Sequence, residues 1–234
     1  MLRRILDILY PPRCPVCTVI LPAGQLICEE CEKQIVYVKE PFCKSCGKPL
    51  ESEREEYCYD CRRRQHTYEA GVALVVYQGA VKKSLYAFKY QNKREYVRFY
   101  AKRTAERYAE WIRRHQIEAI VPIPLHKKRK RKRGYNQAEL YADELGRLTG
   151  IPVVKKGLVR TKNTRPQKEL NDIQRKNNLK KAFKCNPDIV QFRYVLLVDD
   201  IYTTGSTIDA AAAELKKSGV RCVYFVCISI GRGL

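Results

Sequence analysis

Eight of the eleven cysteines stand in four C-x-x-C pairs: Cys14/Cys17, Cys28/Cys31, Cys43/Cys46 and Cys58/Cys61. Two such pairs supply four thiolates, the closed tetrahedral shell of a structural Zn²⁺. The spacing repeats: Cys14 to Cys43 and Cys17 to Cys46 span 29 residues, and Cys28 to Cys58 and Cys31 to Cys61 span 30. This duplication predicts two Zn²⁺ in two ribbons in series, each joining adjacent pairs. A cross-braced pairing would use the same eight ligands. A disulfide framework is disfavoured, because Met1–Tyr10 is broken by Asp7 and carries no small-residue cleavage site. The chain is expected to be cytoplasmic, where thiols stay reduced and clustered cysteines point to metal. Cys185, Cys222 and Cys227 fall outside the pairs, and the last two lie in an apolar run as core thiols.

A second constellation follows the apolar run Val195–Val198: Asp199, Asp200, then Thr203, Thr204, Gly205, Ser206 and Thr207. A strand ending in two carboxylates, followed by a hydroxyl-rich loop that opens a helix, presents backbone N–H groups to a phosphate dianion. The carboxylates would repel that phosphate and suit ribose hydroxyls or a hydrated Mg²⁺ nearby. Together these describe a phosphorylated sugar. A third constellation is Val121-Pro-Ile-Pro-Leu-His126 followed by seven basic residues, Lys127–Arg133, then Gly134, Tyr135, Asn136 and Gln137. No Walker loop and no strand–G-x-G-x-x-G–helix unit occurs.

These residues need a frame. Residues 70–77, 119–123, 194–198 and 220–230 read as buried strands. Helical spacing joins Val97, Tyr100, Ala101, Thr104, Tyr108, Trp111 and Ile112 into one helix, and Ala138 to Leu148 into another that ends near Gly150. A third helix is expected from Ser206 to Lys217, closed by Gly219. Strands alternating with helices predict a parallel sheet covered on both faces, with ligands at the carboxyl ends of its strands. The expected organisation is a double zinc ribbon with a short N-terminal helix in residues 1–67 and an α/β domain in residues 68–234. Charge divides at the same place. Residues 1–67 hold 11 basic and 10 acidic side chains, whereas residues 68–234 hold 35 and 15. The basicity of the second part calls for polyanionic partners, while the ribbons carry no such footprint. No apolar run reaches membrane-spanning length, so membrane insertion is not expected.

The segment Val195–Thr207 resembles the signature of type I phosphoribosyltransferases, which bind 5-phosphoribosyl-1-pyrophosphate (PRPP). The order of pieces resembles the ComF/GntX family: cysteine ribbons, V-P-I-P-L-H-x-x-R-x-x-x-R-G-Y-N-Q, then Arg160-Thr-Lys-Asn-Thr164-Arg-Pro-Gln167-Lys-Glu-Leu170, then the signature. That resemblance, close to ComF-type competence proteins, covers about Leu6 to Arg232. It implies a type I phosphoribosyltransferase-like parallel sheet and a role in natural transformation, handling incoming single-stranded DNA. It also implies a pyrophosphate loop near Ile123–Lys127 and a lid from Arg160 to Lys181. Asp199 and Asp200 would then be the catalytic carboxylates, holding ribose or metal-bound water. Thr203, Thr204, Gly205, Ser206 and Thr207 would take the 5′-phosphate, and Arg129, Arg133 and Arg160 the pyrophosphate.

The expected cofactors are two structural Zn²⁺, and Mg²⁺ with PRPP. No segment reads as a pocket for an accepting base, which leaves catalysis open. A phosphoribosyltransferase of nucleotide salvage with no DNA role is the alternative, and a scaffold joining DNA-uptake proteins is a third. The basic excess exceeds the needs of one PRPP and favours single-stranded DNA as a partner. Its contacts are expected at Lys127, Lys128, Lys130, Lys132 and Tyr135. Tyr90 and Tyr96 are further stacking candidates, and Tyr100, Tyr108 and Trp111 are assigned to the core.

Overall fold

The computed structural model describes residues 11–161 and 182–231. The expected N-terminal helix, and the lid beyond Thr161, lie outside the described residues. Four parallel strands form the sheet: β1 (Gly71–Val76), β2 (Ala119–Pro122), β5 (Tyr194–Tyr202) and β6 (Cys222–Ile230), in the order β1-β6-β5-β2. A two-stranded antiparallel pair, β3 (Leu158–Arg160) and β4 (Phe183–Cys185), stands apart from it. Burial explains the apolar runs, since Val72–Val75, Ile120, Val121, Val195–Val198 and Val223 are at most 1% exposed. Alternation along the strands then sends Leu196, Val198, Val226 and Ile228 to one face, and Val195, Leu197, Phe225 and Cys227 to the other.

The first face is covered by α3 (Gly79–Tyr90), α4 (Val97–Arg114) and α6 (Gln137–Thr149), and the second by α7 (Ser206–Lys217) with the β3–β4 pair. The Asn136 side chain caps α6 by accepting from Ala138 N, and Gly150 closes the helix at φ 76°. α3 was not expected, although Val81, Leu85 and Phe88 keep helical spacing and are buried. The basic run, to which the sequence assigns no element, forms a short helix, α5 (Lys127–Arg133), between His126 and Gly134.

The two ribbons, with their short helices α1 (Glu29–Glu32) and α2 (Tyr59–Arg63), divide between the faces of the sheet. Cys14, Leu21, Ile27, Cys31 and Ile35 join the core under α4, while Cys43, Cys46 and Cys58 join the core shared with Tyr68, Tyr202 and α7. The segment between the ribbons lies antiparallel along the free edge of β1: Val38 N donates to Leu74 O and Val76 N to Val36 O. Arg107 of α4 also donates to Val38 O. The duplicated turns have diverged for a packing reason. Thr18 and Gly47 hold the same place after Cys14 and Cys43, with φ 66° and 73°. A Cβ on Gly47 would stand 2.8 Å from Gly71 O, because the second turn is pressed against the start of β1.

Gly71 is fixed by the opposite neighbour, since a Cβ there would lie 2.1 Å from the Phe225 ring. Gly71→Ala should therefore overpack the second core and cost about 1–3 kcal/mol in denaturant unfolding. A change within experimental error would show that the Phe225 ring moves aside freely.

Candidate functional site

The two cysteine clusters contain Cys14, Cys17, Cys28 and Cys31, and Cys43, Cys46, Cys58 and Cys61. In each the four sulfurs lie within 4.8 Å of one another. This is the sequential pairing rather than the cross-braced one. A tetrahedral Zn²⁺ with Zn–S of about 2.3 Å requires sulfur–sulfur edges of about 3.8 Å. The Cys14–Cys28 and Cys17–Cys28 sulfurs are 3.7 Å apart, and those of Cys46 and Cys58 3.6 Å. Both groups fit the metal. Cys227 is a buried core thiol pushed up by burial, as expected, whereas Cys222 is half-buried.

The second site lies at the carboxyl edge of the sheet. β5 runs on past the expected end at Val198 to Tyr202, so Asp199 and Asp200 sit inside the strand and point to opposite sides of it. Asp200 Oδ1 accepts from Lys89 Nζ at 2.8 Å, with both side chains 15% exposed. The surrounding protein and the neighbouring Asp200 carboxylate push Asp199 up to about 7, with Lys89 and Arg160 opposing. Arg160 is buried at the end of β3, with its guanidinium over the Phe183 ring. Burial, Arg129 nearby and a weaker opposing pull from Asp199 bring it down to about 10. Two carboxylates and three cations, Lys89, Arg129 and Arg160, thus gather at this edge of the sheet.

After β5 the chain bends through Thr203 and Thr204 to Gly205, the N-cap of α7 at φ 76°. Gly205 has no side chain with which to cap this helix, and the α7 start turns its partly positive end toward the bend. Thr204 Oγ1 and Ser206 Oγ are 3.0 Å apart. A Cβ on Gly205 would meet the Tyr202 hydroxyl at 2.4 Å, so the turn needs glycine for space as well as conformation. Across β5, β2 ends at Pro122, where Ile123 N donates to Val198 O and Asn136 Nδ2 to Ile123 O. The 123–127 segment is thereby held beside Asp199. In α5, Arg129 and Arg133 are half-buried while Lys127, Lys128, Lys130 and Lys132 are exposed. Arg133 is engaged with Gln137 Oε1 at 3.1 Å and Tyr90 OH at 3.0 Å, and Lys130 with Glu139.

Three aromatic expectations divide. Tyr135 is a correction: it is 6% exposed, donates its hydroxyl to Phe88 O and is covered by Arg94, so no base can stack on it. Tyr96, 2% exposed, is corrected on the same ground. Tyr90 is 55% exposed beneath Arg133, and Tyr86, which no motif in the sequence marks, lies beside it with ring centroids 5.0 Å apart. Tyr100 and Tyr108 are core, and Trp111 is partly buried against Tyr224. Sequence reasoning also missed Lys89, whose only signal was its place in the last turn of an unrecognised helix. Among the described residues no helix is long and apolar enough to cross a membrane.

The chain matches the phosphoribosyl transferase domain over residues 99–232 and the double zinc ribbon domain over residues 5–62. It is 39% identical to competence protein F of Haemophilus influenzae over 143 residues, 57% of this chain and 60% of that one. It is 36% identical to the DNA utilization protein YhgH of Escherichia coli over 111 residues, 47% and 48% of the two chains. With competence protein ComFC of Bacillus subtilis it shares 28% over 148 residues, 63% and 58% of the two chains. The chain thus spans about half to three fifths of the length of these relatives. Adenine phosphoribosyltransferase of Leishmania tarentolae superposes on 62% of this chain and 74% of its own, at TM-score 0.36 and 12% identity.

Metal analysis of protein purified without added zinc should return about two equivalents, unchanged by Cys185→Ser or Cys222→Ser. One equivalent would leave one cluster a mere group of thiols. The raised Asp199 carboxyl makes a second prediction. A folded-state pKa of about 7 against an ordinary 3.8 favours folding fully only below about pH 4, and that contribution is lost as pH rises through 7. Asp199→Asn should therefore gain stability over the parent between pH 4 and 7 and hold the gain above it. At pH 8 the variant's Tm should lie several degrees above the parent's, since each pH unit between the two values corresponds to about 1.4 kcal/mol. A pH-independent difference would place the carboxyl in ordinary solvent.

Proposed function

Because the chain belongs to the phosphoribosyl transferase domain family, we propose that it binds Mg²⁺–PRPP at the β5–α7 turn and works on incoming single-stranded DNA in natural competence. The observation that carries the reading is the turn itself. The start of α7, a glycine N-cap with φ 76° and the hydroxyls of Thr204 and Ser206 follow closely on Asp199 and Asp200. In this reading Thr203–Thr207 take the 5′-phosphate, and the two carboxylates face the ribose hydroxyls or Mg²⁺-bound water. Arg129, Arg133 and Arg160 take the pyrophosphate. Phosphoribosyl transfer would break the C1–O bond and leave pyrophosphate, with the cations meeting the developing negative charge.

The DNA role draws on the relatives named for competence and DNA utilization and on the exposed lysines of α5. Those lysines sit on the outside of the helix with Arg131, while Arg129 and Arg133 turn inward, so in this reading the two ligands take separate sides. Tyr90 and Tyr86 offer exposed rings for bases at the same edge.

Calorimetry with Mg²⁺–PRPP tests the first part. The parent should bind, and Asp199→Asn combined with Asp200→Asn should not, while keeping its zinc. Undiminished affinity in the double variant would refute the site assignment. For DNA, replacing Lys127, Lys128, Lys130 and Lys132 with Ala should weaken single-stranded binding without sequence preference. Every DNA phosphate that the variant no longer neutralises should lower the slope of log K against log salt by roughly 0.7. PRPP affinity should stay level. A parallel fall in both would mean one shared surface, and an unchanged DNA slope would leave the run as a solvated helix.

A further inference from the structure

Residues 64–68 leave the last zinc ligand, Cys61, and reach the α7 turn. Arg64 donates to Thr204 O at 3.2 Å and to Ser206 Oγ at 3.5 Å, and stands 3.2 Å from Asp209 Oδ2. His66 Nδ1 lies 2.9 Å from the same oxygen, and its Nε2 lies 3.5 Å from Cys61 Sγ. Thr67 N donates to Asp209 Oδ1 at 2.9 Å. The His66 ring stacks on Tyr68 at 4.6 Å, and Tyr68 OH is 2.7 Å from Tyr202 OH, the group that fills the space against Gly205.

Asp209 sits where the helix dipole favours a carboxylate, and there it competes with an incoming anion. A carboxylate in the first turn of α7 repels any anion at that helix start. Here both its oxygens are turned to the ribbon side and matched there. We propose that Arg64, His66 and Thr67, carried by the second zinc ribbon and anchored on Asp209, are positioning residues that hold the 203–207 turn in its anion-binding shape. The ribbon is then a part of the phosphate site, acting through the turn rather than touching the ligand. The inference rests on the reading that this turn takes the phosphate of PRPP.

The test uses the full zinc-loaded chain with Arg64→Ala, Arg64→Lys and Asp209→Asn. It reads amide hydrogen exchange at residues 203–207, zinc content, and calorimetric affinity for Mg²⁺–PRPP. Arg64→Ala and Asp209→Asn should exchange faster at 203–207 and bind PRPP roughly 10- to 100-fold more weakly, the usual cost of removing an outer-shell partner. Zinc should stay at two equivalents, and Arg64→Lys, which keeps the charge but not the fork, should fall between Ala and the parent. Unchanged exchange and affinity in both variants would overturn the proposal. So would faster exchange spread equally over β1 and β6, which marks general loosening. If the parent itself binds no PRPP, the functional reading fails separately, and exchange at 203–207 still decides whether Arg64 holds the turn.

Discussion

An unpaired edge is the constraint on which this architecture turns. A four-stranded parallel sheet exposes a row of peptide groups along β1 and two apolar faces beside it. Here the chain between the two ribbons satisfies the edge, with Val36 and Val38 bonded to β1, and each ribbon then covers the face it falls on. Turns of this kind bury too little apolar surface to order themselves, so metal must fix them before they can cover anything. Zinc therefore contributes to the sheet and not to the ribbons alone. The closeness of Gly47 to Gly71, and of Gly71 to Phe225, follows from that shared packing.

At the other end of the strands the same sheet concentrates charge. Asp199 and Asp200 are adjacent on a central strand, where two ionised carboxylates are costly unless cations answer them. Lys89 answers Asp200 directly, while Asp199 has the Asp200 backbone N–H and the more distant Lys89 and Arg160, and is still pushed up to about 7. A carboxyl so poised ionises readily when a cationic ligand arrives. The cost of keeping it in the ligand-free fold is the kind of strain that accompanies a site rather than a core.

Much of this was legible from residue order. The cysteine period announced two shells of four because thiolate number and spacing are local properties. α7 was bounded correctly because glycine and hydroxyl residues mark its start and Gly219 lies just past its end. α3 escaped because Lys82, Lys83 and Lys89 dilute an apolar stripe that only the sheet makes coherent. Tyr135 was misread for a related reason. A tyrosine beside arginines looks like a stacking platform, and nothing local says that its hydroxyl reaches Phe88 O from 47 residues away. The extension of β5 through Asp199 and Asp200 was hidden too, since polar residues seldom continue a buried strand and here do so through pairing with β6. Local chemistry could be read from the sequence; contacts that close over long separations could not.

The basic run shows how geometry sorts what composition cannot. Seven consecutive cations form one undifferentiated block of charge in the sequence. Wound into α5, residues four apart share a face, and Arg129 and Arg133 turn inward together while the lysines at 127, 128, 130 and 132 stay in solvent. Arg131 stays in solvent with the lysines, but the chemistry of the half-buried pair suits its place. A guanidinium is rigid, weakly hydrated and suited to a fixed fork of oxygens, whereas a solvated ammonium on a long stem suits a mobile chain of phosphates. Burying seven like charges on one surface would be prohibitive. Splitting them lets Arg129 stand near Arg160 and the Asp199 carboxyl, engages Arg133 with Gln137 and Tyr90, and leaves the lysines where water and salt screen their repulsion. In the proposed function that one short helix separates a site built from a few fixed contacts from a surface that acts through its field.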